Sequence, residues 1–352
     1  MLRFLVIIFL ATFPNWSFAS SAKESQKSSS RNYLTIVGSS TVYPFAATIA
    51  EEFGRNAKSK NPKSRTPIVE AMGTGGGFKL FCSGVGVHYP DFSNASRRIE
   101  KSEIARCLEN GISEPVEIKI GYDGIVLANS LGGLQYNLTK EQIFLALAEN
   151  VPDASGEKLV PNPYQKWSDI DAKLPNIAIA IYGPPSTSGT RDAFVELVME
   201  EPCVKLKVFE KEYSDKKKRQ KKCHVIRSDG KFIEAGENDN LIVQKLRNDV
   251  NALGIFGFSF LEENHEIIQA SRINDVEPSF DNIVLGTYPV SRPLFIYFKK
   301  EHLNLIPQMR EFISEIISTD TVGKDGYLLQ KGLIPLTDLE IQKVKDEVKK
   351  SF

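Results

Sequence analysis

The chain has 352 residues, with 44 Lys+Arg against 44 Asp+Glu, and this zero formal charge argues against a nucleic-acid binder that works by neutralising phosphates. With 41% hydrophobic and 25% charged residues it carries enough apolar material for a sizeable core and shows no global sign of disorder. The length suits one large domain or two ordinary ones.

Arg3 precedes the apolar run Phe4 to Phe13, and the stretch that follows ends in Ser17-Phe18-Ala19. This pattern predicts a secretory signal over residues 1–19, cleaved after Ala19, with a flexible Ser/Lys-rich leader over 20–31. The apolar run is too short to span a bilayer by itself, and no later stretch is long and apolar enough to do so. Cleavage removes Arg3 and leaves a net charge of −1. No Cys lies near the cleavage site, which favours a freely diffusing exported protein over a lipid-anchored one.

Strands and helices then alternate. Tyr33 to Val37 reads as a buried strand, Gly38-Ser39-Ser40-Thr41 as a loop, and Phe45 to Phe53 as an amphipathic helix opened by Pro44. Ile68 to Ala71 runs into Gly73-Thr74-Gly75-Gly76-Gly77 and a second helical face at Phe78, Leu80 and Phe81. Further strands are predicted at Ile118 to Asn129 and Leu294 to Phe298, with a helix over Lys140 to Leu147. The strand–loop–helix pattern appears a third time where Ile177 to Tyr182 meets Ser186-Thr187-Ser188-Gly189-Thr190. This alternation predicts an α/β protein with mainly parallel sheets, divided into two lobes.

Val151 to Pro163 reads as a loop, and Lys216 to Lys222 as a solvated basic hairpin. Leu339 to Val348 reads as a surface helix. The four cysteines allow three connectivities, of which the local pairs Cys82–Cys107 and Cys203–Cys223 are expected in an oxidising compartment. A zinc site is disfavoured, because no C-x-x-C occurs and His224 directly follows Cys223.

The three Ser/Thr/Gly loops carry the chemistry. A helix N-terminus exposes unpaired N–H groups and a partial positive charge, so a hydroxyl-rich loop before one forms an anion cradle. Ser40, Thr41, Thr74, Ser188 and Thr190 are each placed to cap a helix, although Ser and Thr also cap ordinary helices. In a parallel sheet all three loops fall at the carboxyl ends of strands, where ligands bind. Arg191 and the pair Arg97-Arg98 add charge-assisted donors, and the set suits a tetrahedral oxyanion. Enzymatic readings are weak: there is no Walker A spacing, no G-x-S-x-G elbow and no clustered metal ligands, so no catalytic residue, metal or cofactor is expected.

Val37 to Pro44, Gly73 to Gly77 and Ser188-Gly189-Thr190-Arg191-Asp192-Ala193-Phe194 together resemble the substrate-binding protein of bacterial high-affinity phosphate ABC transporters, the PstS-like family. Ala252 to Phe258 looks like that family's buried Gly-rich strand. The resemblance implies a periplasmic-binding-protein fold, two α/β lobes joined by two crossing strands with the ligand in the cleft. It further implies a periplasmic monomer that binds inorganic phosphate and hands it to an inner-membrane ABC permease. By the same resemblance, lobe one comprises 32–120 with 292–352 and lobe two 121–291, with crossings near Lys119 to Tyr122 and Pro289 to Pro293. Carried over by position, the phosphate ligands are Ser40, Thr41 and the backbone of Val42, then Thr74 and Gly75, then Ser188, Gly189, Thr190 and Arg191. Where much of the family has an Asp that accepts the phosphate proton, Ser96 stands here, followed by Arg97. Glu237 or Asp239 is left as the candidate acceptor. The alternatives are another oxyanion (sulfate, molybdate or a phosphonate), a secreted phosphohydrolase, or an adhesion protein using the basic run.

Overall fold

The computed structural model describes residues 31–62, 64–236 and 239–352. The expected signal peptide and nearly all of the leader lie outside the described residues, as does Glu237. The first strand β1 (Thr35–Gly38) lies between β2 (Ile68–Ala71) and β3 (Phe92–Ala95), parallel to both. Helices α1 (Tyr43–Lys60) and α2 (Thr74–Phe81) follow β1 and β2. Pro44 sits in the first turn of α1, where its missing N–H costs nothing, and Phe45, Ile49 and Phe53 recur every four residues on its buried face.

Next comes β4 (Pro115–Ser130), which changes partners along its length. Further strands are β5 (Ile181–Gly183), β6 (Phe232–Glu234), β7 (Leu253–Gly257), β8 (Ile268–Ala270) and β9 (Ser291–Lys299). Among the described residues the nine strands run in the order β2-β1-β3-β9-β4-β7-β5-β6, with β8 also on β4. Residues Pro115 to Gly124 of β4 pair with β9, and Ile125 onward pair with β7 and β8. All of these β4 pairings, and β9 with β3, are antiparallel, so the sheet is mixed. The expectation of mainly parallel pairing holds within β2-β1-β3 and β7-β5-β6 and fails where the two groups join.

Two α/β lobes thus share the long strands. The β4–β9 register slips at Ile120, because Phe295 pairs with Lys119 while Leu294 pairs with Gly121. A bulge of this kind adds local twist and bend. The bulge is tied to the C-terminal helix (Asp338–Lys349), whose Glu340 accepts from Lys119 at 2.6 Å. Phe92, Phe298 and Phe312 belong with Trp167, Phe144 and Phe256 to one continuous buried core, in which Phe312 packs edge-on against both Phe53 of α1 and Phe92.

Several local expectations are revised. The basic run is a helix (Lys216–Cys223), because Lys and Arg are good helix formers and Asp215 caps it, accepting from the Lys218 N–H at 2.7 Å. Part of the Val151 to Pro163 segment forms a short hairpin, Asn150–Pro152 with Leu159–Pro161. Only the end of Ile177 to Tyr182 is strand. The sulfurs of Cys82 and Cys107, and of Cys203 and Cys223, are bonded across separations of 25 and 20 residues. In the chain-entropy picture each bridge restricts the unfolded chain by about 3 kcal/mol.

Candidate functional site

Because β2, β1 and β3 are parallel neighbours, the loops that leave their carboxyl ends share one edge of the sheet. At the end of β1, the Ser39 carbonyl accepts from the Tyr43 N–H at 3.0 Å and turns the chain into α1. Thr41 is buried and its Oγ1 accepts from Arg292 Nη2 at 3.0 Å. A hydroxyl that accepts from a guanidinium keeps its own hydrogen to donate elsewhere. The Val42 side chain is wholly buried in the core, so only its backbone faces the loop, and Ser40 is half-buried.

At the end of β2, Thr74 opens α2, and its Oγ1 accepts from the Ser96 N–H at 3.2 Å and lies 3.1 Å from Ser96 Oγ. Gly75 is beside Arg97, whose guanidinium grips Glu103 with two bonds of 2.9 Å. The hydrogen bond to Glu103 is the main reason the Arg97 pKa is raised. Thr74, Gly75, Ser96 and Arg97 therefore form one cluster on the sheet edge.

The third loop comes from the other lobe. Ser188 caps a helix that begins at Gly189, and its Oγ accepts from the Thr190 N–H at 3.2 Å. The helix passes through a π-turn at Val195–Met199, a local widening common near functional sites. Gly189 brings its backbone close to the first loop, since a Cβ there would lie 3.6 Å from Thr41 Cα and 3.7 Å from the Ser40 carbonyl oxygen. Arg191 points elsewhere: its guanidinium stacks 4.4 Å over the Phe232 ring and donates to the Pro184 carbonyl, and burial pushes its pKa down.

A cavity of about 510 Å³ opens where the first and third of these loops meet, lined in part by Thr41, Ser188, Gly189, Thr190, Asp123 and Asp239. Thr74, Gly75, Ser96 and Arg97 do not line it, and neither do Ser40, Val42 and Arg191. Asp239, described at the start of the helix Asp239–Asn248, does reach the cavity.

Two residues that sequence reasoning missed stand at the junction of the lobes. Asp123 on β4 and Arg292 on β9 are register partners, and Asp123 Oδ2 lies 3.6 Å from Arg292 Nε. Burial raises the Asp123 pKa above its ordinary range, opposed by Arg292. A lone carboxylate inside the apolar stretch Ile118 to Asn129 was the available signal for it. The geometry offers donors for an anion, namely the Thr41, Ser188 and Thr190 hydroxyls and the backbone at a helix start, together with carboxylate acceptors at Asp123, Asp239 and Glu263, of which Asp123 has its Oδ2 buried. Among the described residues no group of three or more His, Cys, Asp and Glu side chains has metal-binding geometry, and no helix is long and apolar enough to cross a membrane.

The comparisons with known proteins point the same way. Residues 23–320 match the family model described as the PBP superfamily domain. The chain is 31% identical to the protein SphX of Synechococcus elongatus, an alignment covering 78% of this chain and 71% of SphX. It is 29% identical to the phosphate-binding protein PstS of Staphylococcus saprophyticus, over 80% of this chain and 74% of that one. A crystal structure of a possible phosphate-binding protein from Planctomyces limnophilus superposes with a TM-score of 0.73 at 27% identity, covering 92% of this chain and 100% of the other. With its two α/β lobes, shared long strands and hydroxyl-lined cavity, the chain belongs to the PBP superfamily, among solute-binding proteins of the PstS and SphX kind.

Proposed function

We propose that this protein captures inorganic phosphate outside the inner membrane and delivers it to an ABC permease for import. The observation that carries the reading is the meeting of Thr41 from one lobe with Ser188, Gly189 and Thr190 from the other around a single cavity. Buried hydroxyl and backbone donors in a water-poor cleft replace the hydration shell of a small oxyanion. The relatives' names supply the anion: PstS of Staphylococcus saprophyticus is a phosphate-binding protein.

On this reading the protein is a periplasmic monomer with a cleaved signal peptide, and it turns over no substrate. Lobe one is residues 32–120 with 292–352 and lobe two 121–291. They close about the β4–β9 crossing, and the closed form is what the permease recognises. The Thr74 cluster lies along the same sheet edge and joins the anion's shell on closure.

Calorimetry of the mature protein, stripped of bound anion, tests the reading with phosphate and then sulfate at neutral pH. Tight phosphate binding supports it, and silence to phosphate removes it. Small-angle scattering showing one radius of gyration with and without phosphate would exclude closure. The Thr74→Ala variant is expected to bind phosphate about 1–3 kcal/mol more weakly, the worth of a hydrogen bond to a charged group. Unchanged affinity would take Thr74 out of the site.

A further inference from the structure

Asp123 sits where β4 leaves β9 for β7, so both lobes converge on it. Its Oδ2 and the facing Arg292 Nε are both buried, and neither has a hydrogen-bond partner among the described residues. At 3.6 Å the two attract as charges without bonding to each other. The remaining Arg292 nitrogens are engaged, Nη2 with Thr41 and Nη1 with Glu196 at 2.5 Å. A buried carboxylate oxygen without a donor is costly, and such a group in a cavity wall is one that a ligand hydrogen can satisfy.

The rest of the wall explains which ligand. Thr41, Ser188 and Thr190 bring hydroxyl hydrogens to the cavity, and such donors serve any oxyanion alike. An ionised carboxylate only accepts. Sulfate at neutral pH has no hydrogen to give it and meets its negative charge, whereas phosphate retains an O–H that can donate. We propose that Asp123 is the specificity-determining acceptor of this cleft, taking the O–H of bound phosphate and thereby refusing sulfate. The proposal rests on the phosphate reading above and adds to it the residue that supplies the acceptor in this chain. It assigns to β4 a task that Ser96, having no carboxylate, cannot perform. Asp239 and Glu263 also line the cavity, but Asp239 opens a helix, where N–H groups compete for its carboxylate, and Glu263 at the end of the helix Phe258–Glu263 is exposed and keeps its hydration.

The test is the ratio of sulfate to phosphate dissociation constants, measured by calorimetry for the wild type, Asp123→Asn and Asp239→Asn. The ratio is taken within one sample, so a reduced folded fraction cancels; if Asp123→Asn does not fold, Asp123→Ser serves the same purpose. An amide can donate to sulfate and no longer repels it, so the ratio is expected to fall by about 10- to 100-fold in Asp123→Asn, the factor carried by one charge-assisted hydrogen bond. A ratio unchanged from wild type overturns the assignment while leaving phosphate capture standing, as does a collapse seen in Asp239→Asn alone. A wild type that binds no phosphate overturns both.

Discussion

Arg292→Met is expected to lower the unfolding free energy by about 3–5 kcal/mol, the usual result of removing one partner of a buried ion pair. The Arg292 and Asp123 side chains retain only 10% and 14% of their accessible surface, so neither charge is solvated in compensation. Methionine restores much of the volume, which isolates the electrostatic loss from a packing defect. Thr41 Oγ1 loses its donor in the same step. The half-exposed Glu196 contributes little, because its carboxylate is returned to water. Urea denaturation measures the loss, and an unchanged midpoint at constant slope would mean that the pair is solvated in solution. Adding Asp123→Asn to Arg292→Met removes the stranded charge and is expected to recover about half of the loss or more.

Gly38→Ala is expected to cost more than about 3 kcal/mol, because two independent constraints act at that position. Its φ of +135° is a region L side chains rarely adopt, and an added Cβ would lie 2.2 Å from the Asn94 carbonyl oxygen, a backbone atom that cannot swing aside. Gly77 on α2 presses on the same point, since a Cβ there would approach Gly38 Cα to 2.4 Å. The bare backbone contact lets α2, which opens at Thr74, lie against β1. The substitution is therefore expected to weaken phosphate binding along with stability. A melting temperature lowered by roughly 5 °C or more is the expected outcome, and a shift within a degree would show that β1 and β3 part easily.

Much of the candidate site was legible because its parts are local. A Ser or Thr before a helix announces itself within four residues, so Thr74, Ser188 and Thr190 were found at the helix starts they occupy. The helix Lys140–Leu147 was likewise legible, with Thr139 and Gln142 capping one another. Cysteine spacing sufficed for the two local bridges. The basic run was misread because a dense charge pattern says solvent exposure without saying which exposed structure, and Asp215 decides for helix.

The sequence by itself determined the alternating elements, the hydroxyl-rich helix starts and the neutral, export-compatible composition, since these depend on propensities and patterns spanning a few residues. The tertiary structure alone decided that β4 would trade β9 for β7, that Arg191 would turn onto Phe232, and that Arg292 would lie against Thr41 and Asp123. Those pairings join segments far apart in the chain, and a charge deep in a strand has no local signature for its partner. Which buried charges meet is settled by strand register and by the cost of leaving either one unpaired in a low-dielectric interior.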